Sequence, residues 1–526
     1  MAWQWLVRIW AIFVAALPLT PTGAQPLMDA GVADGGVPAT PTPPEPTTLH
    51  VMSFNIWYGG EQVSFPSVVA AIRLAEADIV GVQEPDGQLD AIAAATGLPY
   101  VDRRRNIISR YPMFDPGVGE RTATTPPTYG DVALDPDALH AYVMVRPGEV
   151  VAVANTHLPS DPWGPTLSMT DTQAEVMALE TRTRVPSAKP FARLGALGAG
   201  GMPVFLTGDF NSPSPLDWTA AAVAARRLPY PVAWPAVDLL LKAGLRDSFR
   251  EVHPDPVAVP GFTWTAGMPA PYVPEGEIFD RIDYVFTAGP TRTLASSILG
   301  EPGGAGIDLS VAPYPSDHRA VVSTFTVIPA PAAPMVVVEP HRVIAGESFF
   351  LRAYLPGAEG FTALVVPRGA GAGAALTGFV EETRGYRTGI RLGTDNLAPG
   401  GYDAILLGTD GSVAARNRFE VVAPDSVPML AITDPEVPAG TPLGVRWSGA
   451  PGFRFDWIAV VPQGRANVIE PLIWHYTNAL LAGETSIPLE SDGTPLPPGD
   501  YEARLMRDDS YTVLARARFT ITAPPR

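Results

Sequence analysis

Residues 203–211, Pro-Val-Phe-Leu-Thr-Gly-Asp-Phe-Asn, constrain the fold more than any other stretch of the sequence. The three apolar residues after the proline predict a short buried strand, and the glycine permits a tight turn at its end. An extended backbone would place Asp209 and Asn211 on one side, because side chains repeat every two residues in a strand. Such a pair can orient and polarise a water molecule. For this segment alone, an Asx turn that only satisfies backbone N–H groups is an equally good interpretation.

The composition indicates a β-rich globular protein with several domains. A chain of 526 residues exceeds one ordinary core, and 46% hydrophobic with 17% charged residues is typical of a folded protein. The 50 glycines and 59 prolines favour many turns and extended linkers. A net charge of −18 argues against a surface built to neutralise nucleic-acid phosphates. The absence of cysteine excludes disulfides, thiolate metal sites, cysteine nucleophiles and a lipid anchor on cysteine.

The first 24 residues have the pattern of a secretory signal peptide. Arg8 supplies a basic start, residues 9–17 an apolar segment, and Thr-Gly-Ala at 22–24 a small-residue cleavage site. The apolar segment is shorter than the roughly 20 residues that a membrane-spanning helix needs. We therefore expect no transmembrane segment and an exported protein, either periplasmic or extracellular. Residues 25–47, rich in Pro, Gly and Thr, are predicted to be a linker.

Residues 48–328 are predicted to form an α/β domain. An apolar strand at 49–56, a helical pattern at 65–77 and a second strand at 78–84 indicate a layered arrangement. Further strands are predicted at 106–112, 149–158, 279–286 and 318–327, with a helix-rich insertion between Asn211 and about residue 244.

The last third of the chain contains an internal repeat. Segments 364–369 and 459–464 match, as do 399–404 and 498–503. Equivalent positions lie 94 to 100 residues apart, which is the size of one small β-sandwich. We predict two immunoglobulin-like all-β modules, at 335–424 and 428–524, that serve as spacers or as surface or membrane docking domains. Their aromatic residues, Trp457, Trp474 and Tyr476, are expected to belong to the core.

Polar residues follow the ends of the predicted strands of the first domain. Each has a structural explanation when taken singly, such as a turn, a solvated strand end or a surface ion pair. Together they provide what hydrolysis of a phosphoester requires: charge neutralisation, an oriented water and a proton for the leaving oxygen. These residues are Asn55, Glu84, His157, Asp209, Asn211, Asp283, Asp317 and His318.

The set contains both metal ligands and acid–base groups. Glu84 with Asn55 and Asp317 is a set of hard oxygen ligands suited to Mg²⁺ or Mn²⁺. His318 can act as a general base if Asp283 holds its ring in the required tautomer.

Three further residues of the set complete the chemistry. Asp209 and Asn211 can position the attacking water or the phosphate, and His157 can donate to the phosphoryl group or the leaving oxygen.

Six short motifs resemble those of the endonuclease/exonuclease/phosphatase superfamily and occur in its order over about residues 49–328. That superfamily includes pancreatic-type deoxyribonucleases, abasic-site endonucleases, inositol-polyphosphate 5-phosphatases and neutral sphingomyelinases, and secreted bacterial members. The motifs are Ser-Phe-Asn at 53–55, Gln-Glu at 83–84, Asn-Thr-His at 155–157, Gly-Asp-Phe-Asn at 208–211, Arg-Ile-Asp at 281–283 and Ser-Asp-His at 316–318.

The resemblance implies a four-layer α/β sandwich of two mixed β-sheets flanked by helices, with a metal-dependent phosphoesterase site at one mouth. It implies Glu84 as a metal ligand near Asn55 and Asp317, and the remaining motif residues as the catalytic groups. The general base is then either in the group of Asp209 or in the pair of Asp283 and His318. The segment 157–165 also resembles secreted bacterial members, which adds Asp161 and Trp163 as candidate substrate-binding residues.

The residues leave the substrate open. A nucleic acid, a phospholipid such as sphingomyelin or a phosphoinositide, and a small phosphate ester are all compatible with the motifs. The acidic balance and the presence of only two lysines disfavour a dedicated nuclease, although Arg103–Arg105 or Arg226 and Arg227 could face an anionic substrate. An alternative of another class is a catalytically silent adhesion or binding protein that uses the tandem modules. P-loop and zincin chemistry are excluded because Gly-Lys-Ser/Thr and His-Glu-x-x-His are absent.

Overall fold

A computed structural model gives the structure of the chain. It describes residues 45–114, 139–264, 277–382, 386–452, 456–466, 473–477, 480–491, 494–507 and 511–523. The predicted signal peptide and most of the predicted linker lie outside the described residues. Among those residues, none of the helices combines the length and apolar content that a membrane crossing requires.

The first part of the chain alternates strands and helices. The strands are β1 (Thr47–Asn55), β2 (Ile79–Gln83), β3 (Tyr100–Asp102), β4 (Ile107–Ser109), β5 (Met113–Phe114), β6 (Ala141–Arg146), β7 (Glu149–His157), β8 (Val204–Asp209), β9 (Arg246–Asp247), β10 (Asp283–Ala288), β11 (Thr291–Gly300), β12 (Leu309–Ser310), β13 (Ala320–Val327) and β14 (Ala330–Pro331). The helices are α1 (Phe65–Leu74), α2 (Leu89–Thr96), α3 (Gly164–Leu167), α4 (Gln173–Thr183), α5 (Val185–Ala188), α6 (Arg193–Ala199), α7 (Ala220–Arg226), α8 (Pro235–Lys242) and α9 (Ser248–Val252), with short 3-10 turns at Tyr58–Gly60 and Lys189–Ala192.

Two mixed sheets pack face to face between layers of helices. One has the order β12-β11-β13-β1-β2-β4-β3, and the other has the order β5-β6-β7-β8-β10-β9. Successive residues of β1 point to opposite faces of the sheet and show the layering. Val51 contributes to the core between the sheets, whereas Met52 packs on the side of α1 and α2. Residues of α5, α6 and α8 cover the outer face of the second sheet. The α/β sandwich predicted for this part of the chain is confirmed.

A buried polar cluster joins the two sheets in the middle of this sandwich. The side-chain oxygen of Asn155 on β7 accepts hydrogen bonds from Gln83 Nε2 at 2.6 Å and Thr207 Oγ1 at 2.9 Å. Its Nδ2 donates to the backbone carbonyls of Val82, at 2.9 Å, and Arg105. Because unpaired polar groups in an interior are costly, these mutually satisfied contacts fix how the sheets sit against each other.

The C-terminal part of the chain is all β, as predicted. Its strands are β15 (Met335–Glu339), β16 (Arg342–Ile344), β17 (Ser348–Tyr354), β18 (Phe361–Pro367), β19 (Thr377–Glu381), β20 (Tyr386–Gly393), β21 (Gly400–Leu407), β22 (Val413–Val422), β23 (Met429–Ile432), β24 (Glu436–Pro438), β25 (Leu443–Ser448), β26 (Trp457–Pro462), β27 (Ile473–Tyr476), β28 (Gly483–Ile487), β29 (Glu490–Ser491), β30 (Thr494–Pro495), β31 (Gly499–Met506) and β32 (Val513–Thr522), with a 3-10 turn at Ala372–Ala374.

The two copies of the sequence repeat form the same pair of sheets. In the first copy, β15-β17-β20 faces β16-β22-β21-β18-β19, and in the second, β23-β25-β28 faces β24-β32-β31-β26-β27. The pairing register is also the same, because Pro367 lies opposite Tyr402 and Pro462 lies opposite Tyr501. We refer to the two copies as module 1 and module 2.

Two predicted strands begin later than the hydrophobic pattern suggested. β10 begins at Asp283, not at residue 279, because the hydroxyl of Thr263 accepts the backbone N–H groups of Ile282 and Asp283. β13 begins at Ala320 and not at His318, whose N–H is bound by the hydroxyl of Ser316. In both places a side-chain hydroxyl accepts the backbone N–H groups that a neighbouring strand would otherwise bind. The first helix ends at Leu74, three residues before the predicted end.

We expect that replacing Gly81 by alanine destabilises the sandwich. A Cβ at this position would lie 1.8 Å from Thr207 Oγ1 and 2.6 Å from Asn155 Oδ1, inside the polar cluster that joins the sheets. Overpacking of this kind costs about 1–3 kcal/mol or more. Chemical denaturation of Gly81→Ala should show the loss. The control is Gly371→Ala, where the added Cβ meets no atom within 4 Å, and equal stability of the two variants would contradict the account.

Candidate active site

The sheet topology brings the predicted site residues to one edge of the sandwich. β1 and β2 are parallel and end together at Asn55 and Gln83, so Glu84 follows at the same edge. In the second sheet, Asp209 pairs with His157 on a parallel neighbour and with Asp283 on an antiparallel one. The carboxyl ends of four strands and the start of a fifth therefore meet across the two sheets.

Asn55 connects the two halves of the site. Its Nδ2 donates to Glu84 Oε1 and to Asp209 Oδ2, each at 3.1 Å, while its Oδ1 accepts the N–H of Trp57. The side chain is fully buried. A neutral amide that donates to two carboxylates holds them close together without cancelling their charge.

Glu84 sits in a strained backbone conformation. Its φ is 54°, a region that non-glycine residues rarely adopt, and its Oε2 accepts the N–H of Tyr58 at 3.0 Å. Trp57 and Tyr58 also have positive φ, at 57° and 45°. Backbone strain of this kind persists only where surrounding contacts hold it, and it is most common at functional sites. Here it turns the Glu84 carboxylate and the two aromatic rings into the same cleft.

Asp209 is the centre of the polar network. Its Oδ2 lies 3.5 Å from His157 Nε2 and 3.5 Å from His318 Nε2, in addition to its contact with Asn55. Its Oδ1 accepts the backbone N–H of Asn211 at 2.9 Å. The carboxylate is 1% exposed, so these contacts are little screened by water.

Asn211 does not continue an extended strand beyond Asp209, as the two-residue spacing suggested. Its φ is 46°, and the bond from its N–H to the Asp209 carboxylate closes an Asx turn. Its Nδ2 donates to the carbonyl of Leu158. The turn and the site are thus one feature, because the turn aims Asp209 and Asn211 into the cleft that both residues line.

His318 is held between two carboxylates. Its Nδ1 lies 3.0 Å from Asp283 Oδ2, and the ring of Trp264 packs against it with centroids 4.9 Å apart. Burial alone would favour the neutral ring, but the nearby Asp283 and Asp209 carboxylates raise the pKa of His318 well above its usual value. The pKa of Asp283 is raised by its burial, which the charge of His318 partly offsets.

Asp317 faces Glu84 and Asp209 in a crowded acidic environment. Burial raises the pKa of Asp317 to about 7, and the charges of Glu84 and Asp209 add to the increase while His318 opposes it. Three carboxylates that disfavour each other's ionised form are the type of donor set that a hard divalent cation stabilises. The predicted ligands Asn55, Glu84 and Asp317 therefore fit such an ion.

A second group of metal-ligating atoms lies next to the first. Ligand atoms of Asp209, Asp283 and His318 all lie within 4.8 Å of one another. Asp283 Oδ1 makes no hydrogen bond within the described part of the chain. In this group, however, both ring nitrogens of His318 face carboxylates, an arrangement that suits a charged imidazolium.

The site opens into a cleft of about 560 Å³. Both predicted substrate-binding residues, Asp161 and Trp163, line it. Residues that the motifs did not indicate also line it, namely Trp57, Tyr58, Trp264 and Glu277 from the first domain and Trp457, Trp474, Tyr476 and Tyr511 from module 2. The expectation that the module 2 aromatics belong to the core was therefore wrong for those that face this cleft.

Three of the arginines that could have faced an anionic substrate form ion pairs away from the cleft. Arg103 forms ion pairs with Asp90 and Glu339, and Arg105 is buried against Asp102. Arg226 binds Asp280 at 2.9 Å. These cations serve the structure, and neither they nor Arg104 or Arg227 line the cleft.

Comparison with known proteins agrees with this geometry. Residues 52–318 match the model of the endonuclease/exonuclease/phosphatase family. An uncharacterized protein of Caenorhabditis elegans is 29% identical over 299 residues, which cover 53% of this chain and 92% of that protein. The chain belongs to the endonuclease/exonuclease/phosphatase family.

The solved structures that match the chain are less similar to it in sequence. An endonuclease/exonuclease/phosphatase from Beutenbergia cavernae is 19% identical, with a TM-score of 0.33, and the match covers 71% of this chain and 99% of that one. D. rerio TDP2 complexed with a single-strand DNA product is 17% identical, with a TM-score of 0.32, covering 53% and 99%. A mannosyl-6-phosphatase of Bacteroides thetaiotaomicron is 17% identical, with a TM-score of 0.30, covering 53% and 99%.

We expect Asp283→Asn to lower the pKa of His318. The substitution removes the negative charge 3.0 Å from Nδ1 but keeps the side-chain size. Loss of one close opposite charge lowers a buried histidine pKa by about 1 unit or more. NMR titration of the imidazole signals in the wild-type protein and in the variant measures this shift. An unaltered His318 titration would contradict the assigned pairing.

Proposed function

We propose that the protein is an exported, divalent-metal-dependent phosphoesterase that hydrolyses a phosphodiester or phosphomonoester by attack of an activated water. The observation that carries the proposal is the contact of Asp209 with Asn55, His157 and His318 at the mouth of the sandwich. The Asp209 carboxylate can serve as an anionic base, and the proposed cation ligands and two imidazoles lie next to it. Family membership supports the same class of reaction.

Glu84, Asp317 and Asn55 would hold the ion, which we expect to be Mg²⁺ or Mn²⁺. Their donors are oxygen atoms, which hard cations prefer, and their carboxylates are crowded enough to gain from a positive charge. A bound ion would neutralise charge on the phosphate oxygens. The neighbouring group of Asp209, Asp283 and His318 suits the ion less well, because the charged ring of His318 would repel it.

Asp209 is the better candidate for the general base. It accepts hydrogen bonds and stays within 3.5 Å of both imidazoles, so it can orient a water and take its proton. His318, whose pKa is raised, remains protonated and donates through Nε2 to a phosphate oxygen. The sequence left open whether the group of Asp209 or the pair of Asp283 and His318 supplies the base, and we propose Asp209. His157, whose side chain is 13% exposed at the cleft, can donate to the phosphate or to the departing oxygen.

Asp283 acts through His318 as a positioning residue. Its contact with Nδ1 directs Nε2 of the ring toward Asp209 and the cleft. Thr263 in turn fixes the start of β10 by binding two backbone N–H groups. The water attacks phosphorus, the ester P–O bond breaks, and the leaving alcohol gains a proton.

The finer identity of the C-terminal modules is also a proposal. Two all-β modules, each with a three-stranded and a five-stranded sheet around one apolar core, support the immunoglobulin-like class of sandwich.

Export is proposed from the signal-like pattern of residues 1–24. Mass spectrometry of the mature protein from its native host should find an N-terminus near Gln25 in an exported fraction. A protein that keeps its first residues and remains in the cytoplasm would contradict export.

We expect turnover of bis-p-nitrophenyl phosphate or p-nitrophenyl phosphate that requires Mg²⁺ or Mn²⁺ and is abolished by EDTA. His318→Ala should lower kcat by about 10²-fold or more, because it removes a group that stabilises charge in the transition state. Glu84→Gln should lower turnover at limiting metal, and the matched control Glu484→Gln, on an exposed side chain, should not. Full activity of His318→Ala, or turnover in EDTA, would contradict the proposal.

A further inference from the structure

Module 2 carries aromatic residues on a sheet face that its own core does not use. The core of the module is formed by residues such as Ile458, Val460 and Ile473. On the opposite face of the same strands, Trp457 and Ala459 pack with Met506 and with Trp474, Tyr476 and Tyr511. A β-sandwich needs one apolar face per sheet, so a second apolar face usually marks a contact surface.

The corresponding face of module 1 lacks these rings. β26 pairs Trp457 with Tyr476 and Ala459 with Trp474. The same register in β18 pairs Thr362 with Val380 and Leu364 with Gly378. The hairpin residue two before Val513 is Tyr511, whereas the residue two before Val413 is Gly411. The fold of the module therefore does not require the aromatic face.

This face lies against the active site. The ring of Tyr511 contacts that of Tyr58 at a centroid distance of 5.6 Å and that of Trp457 at 6.0 Å. Tyr58 is the residue whose backbone N–H binds the Glu84 carboxylate. Module 2 thus forms one wall of the cleft that holds the phosphoesterase residues.

The cleft is suited to a particular type of ester. A volume of about 560 Å³ accommodates more than a phosphate group. Within the described part of the chain, its lining contains the carboxylates of five residues and no lysine or arginine. Such a lining disfavours a substrate with several phosphates, because only one phosphate would be neutralised at the metal and imidazole groups. The aromatic wall instead offers stacking to a flat, uncharged ring.

We propose that module 2 is part of the substrate-binding site, and that its aromatic face binds an uncharged ring in the alcohol of a phosphate ester with one phosphate. The proposal rests on the proposed phosphoesterase function for the position of the phosphate. An aromatic group such as a nucleobase and the apolar face of a sugar both provide such a ring, and both would stack on the same wall.

A matched series of esters tests this proposal. Ethyl phosphate and 2-phenylethyl phosphate differ only by the ring, phosphocholine replaces the ring by a cation, and glucose 6-phosphate supplies a sugar. Each is assayed with Mn²⁺, as the monoester and as its methyl diester. We expect kcat/KM for 2-phenylethyl phosphate to exceed that for ethyl phosphate by about tenfold or more, the typical effect of one stacked ring. The glucose ester then shows whether a sugar gains from the wall as well.

Two variants of module 2 locate the effect. Trp474→Ala and Tyr476→Val, the latter introducing the residue of module 1, should each reduce that tenfold preference several-fold, because kcat/KM should fall further for 2-phenylethyl phosphate than for ethyl phosphate. Phe350→Ala, on a half-exposed ring of module 1, is the matched control and should keep the preference. Thermal unfolding confirms that each variant is folded. An unchanged preference in both module 2 variants, an equal loss for both esters, or a wild-type preference for phosphocholine would overturn the proposal.

A binding measurement separates this proposal from the proposed catalysis. The binding of 2-phenylethylphosphonate and ethylphosphonate is measured by calorimetric titration. These compounds have a P–C bond in place of the ester bond, so the measurement requires no turnover. Tighter binding of the phenyl compound that is lost in Trp474→Ala supports the aromatic wall even if no ester is hydrolysed. Equal binding of the two phosphonates to the wild-type protein overturns it even if esters are hydrolysed.

Discussion

The contact on which the site depends is the bond between the Asn55 amide and two carboxylates from different sheets. Glu84 follows a strand of the first sheet and Asp209 ends a strand of the second, and Asn55 Nδ2 lies 3.1 Å from each. Like charges would otherwise separate such groups. The buried cluster around Asn155 fixes the same two sheets deeper in the sandwich. The position of the active-site carboxylates is therefore set by the packing of the whole domain.

Several residues at the mouth of the sandwich adopt backbone conformations that are unfavourable for stability. Glu84, Trp57, Tyr58 and Asn211 have positive φ values that a stable loop would avoid. Each is held by a specific hydrogen bond or by packing against a neighbour, as in the bond from the Tyr58 N–H to Glu84 and the Asx turn at Asp209. The strained conformations cost free energy of folding, but they hold the polar groups in position in the cleft before a substrate binds.

The sequence predicted the α/β sandwich because its strands are short apolar runs that end in polar motifs. Local pattern was less informative where side chains replace strand neighbours, as at Thr263 and Ser316, which delay the starts of β10 and β13. The spacing of Asp209 and Asn211 indicated the right cleft for the wrong reason, because a turn and not a strand orients them. The position of Asp209 in the cleft also depends on contacts with residues of β1 and β7, which a local sequence pattern does not reveal.

The position of the module 2 aromatic residues at the cleft was the part that sequence reasoning missed. Trp457, Trp474 and Tyr476 have the alternation of a strand, and alternation does not say which face meets the core and which meets another domain. The repeat did carry a signal, since the same positions in module 1 are Thr362, Gly378 and Val380. Likewise, the arginines near residue 104 looked available for a substrate, but their partners Asp90, Asp102 and Glu339 come from several parts of the chain.

The central claim is that the carboxylates around Asn55 bind a divalent cation beside a charged His318. Crystals of the protein soaked in Mn²⁺ and measured at the manganese absorption edge would locate the ion directly by its anomalous signal. We expect one strong peak within coordination distance of oxygens of Glu84 and Asp317. A peak bound by Asp209, Asp283 and His318 instead, or no peak at this mouth at millimolar Mn²⁺, would contradict it.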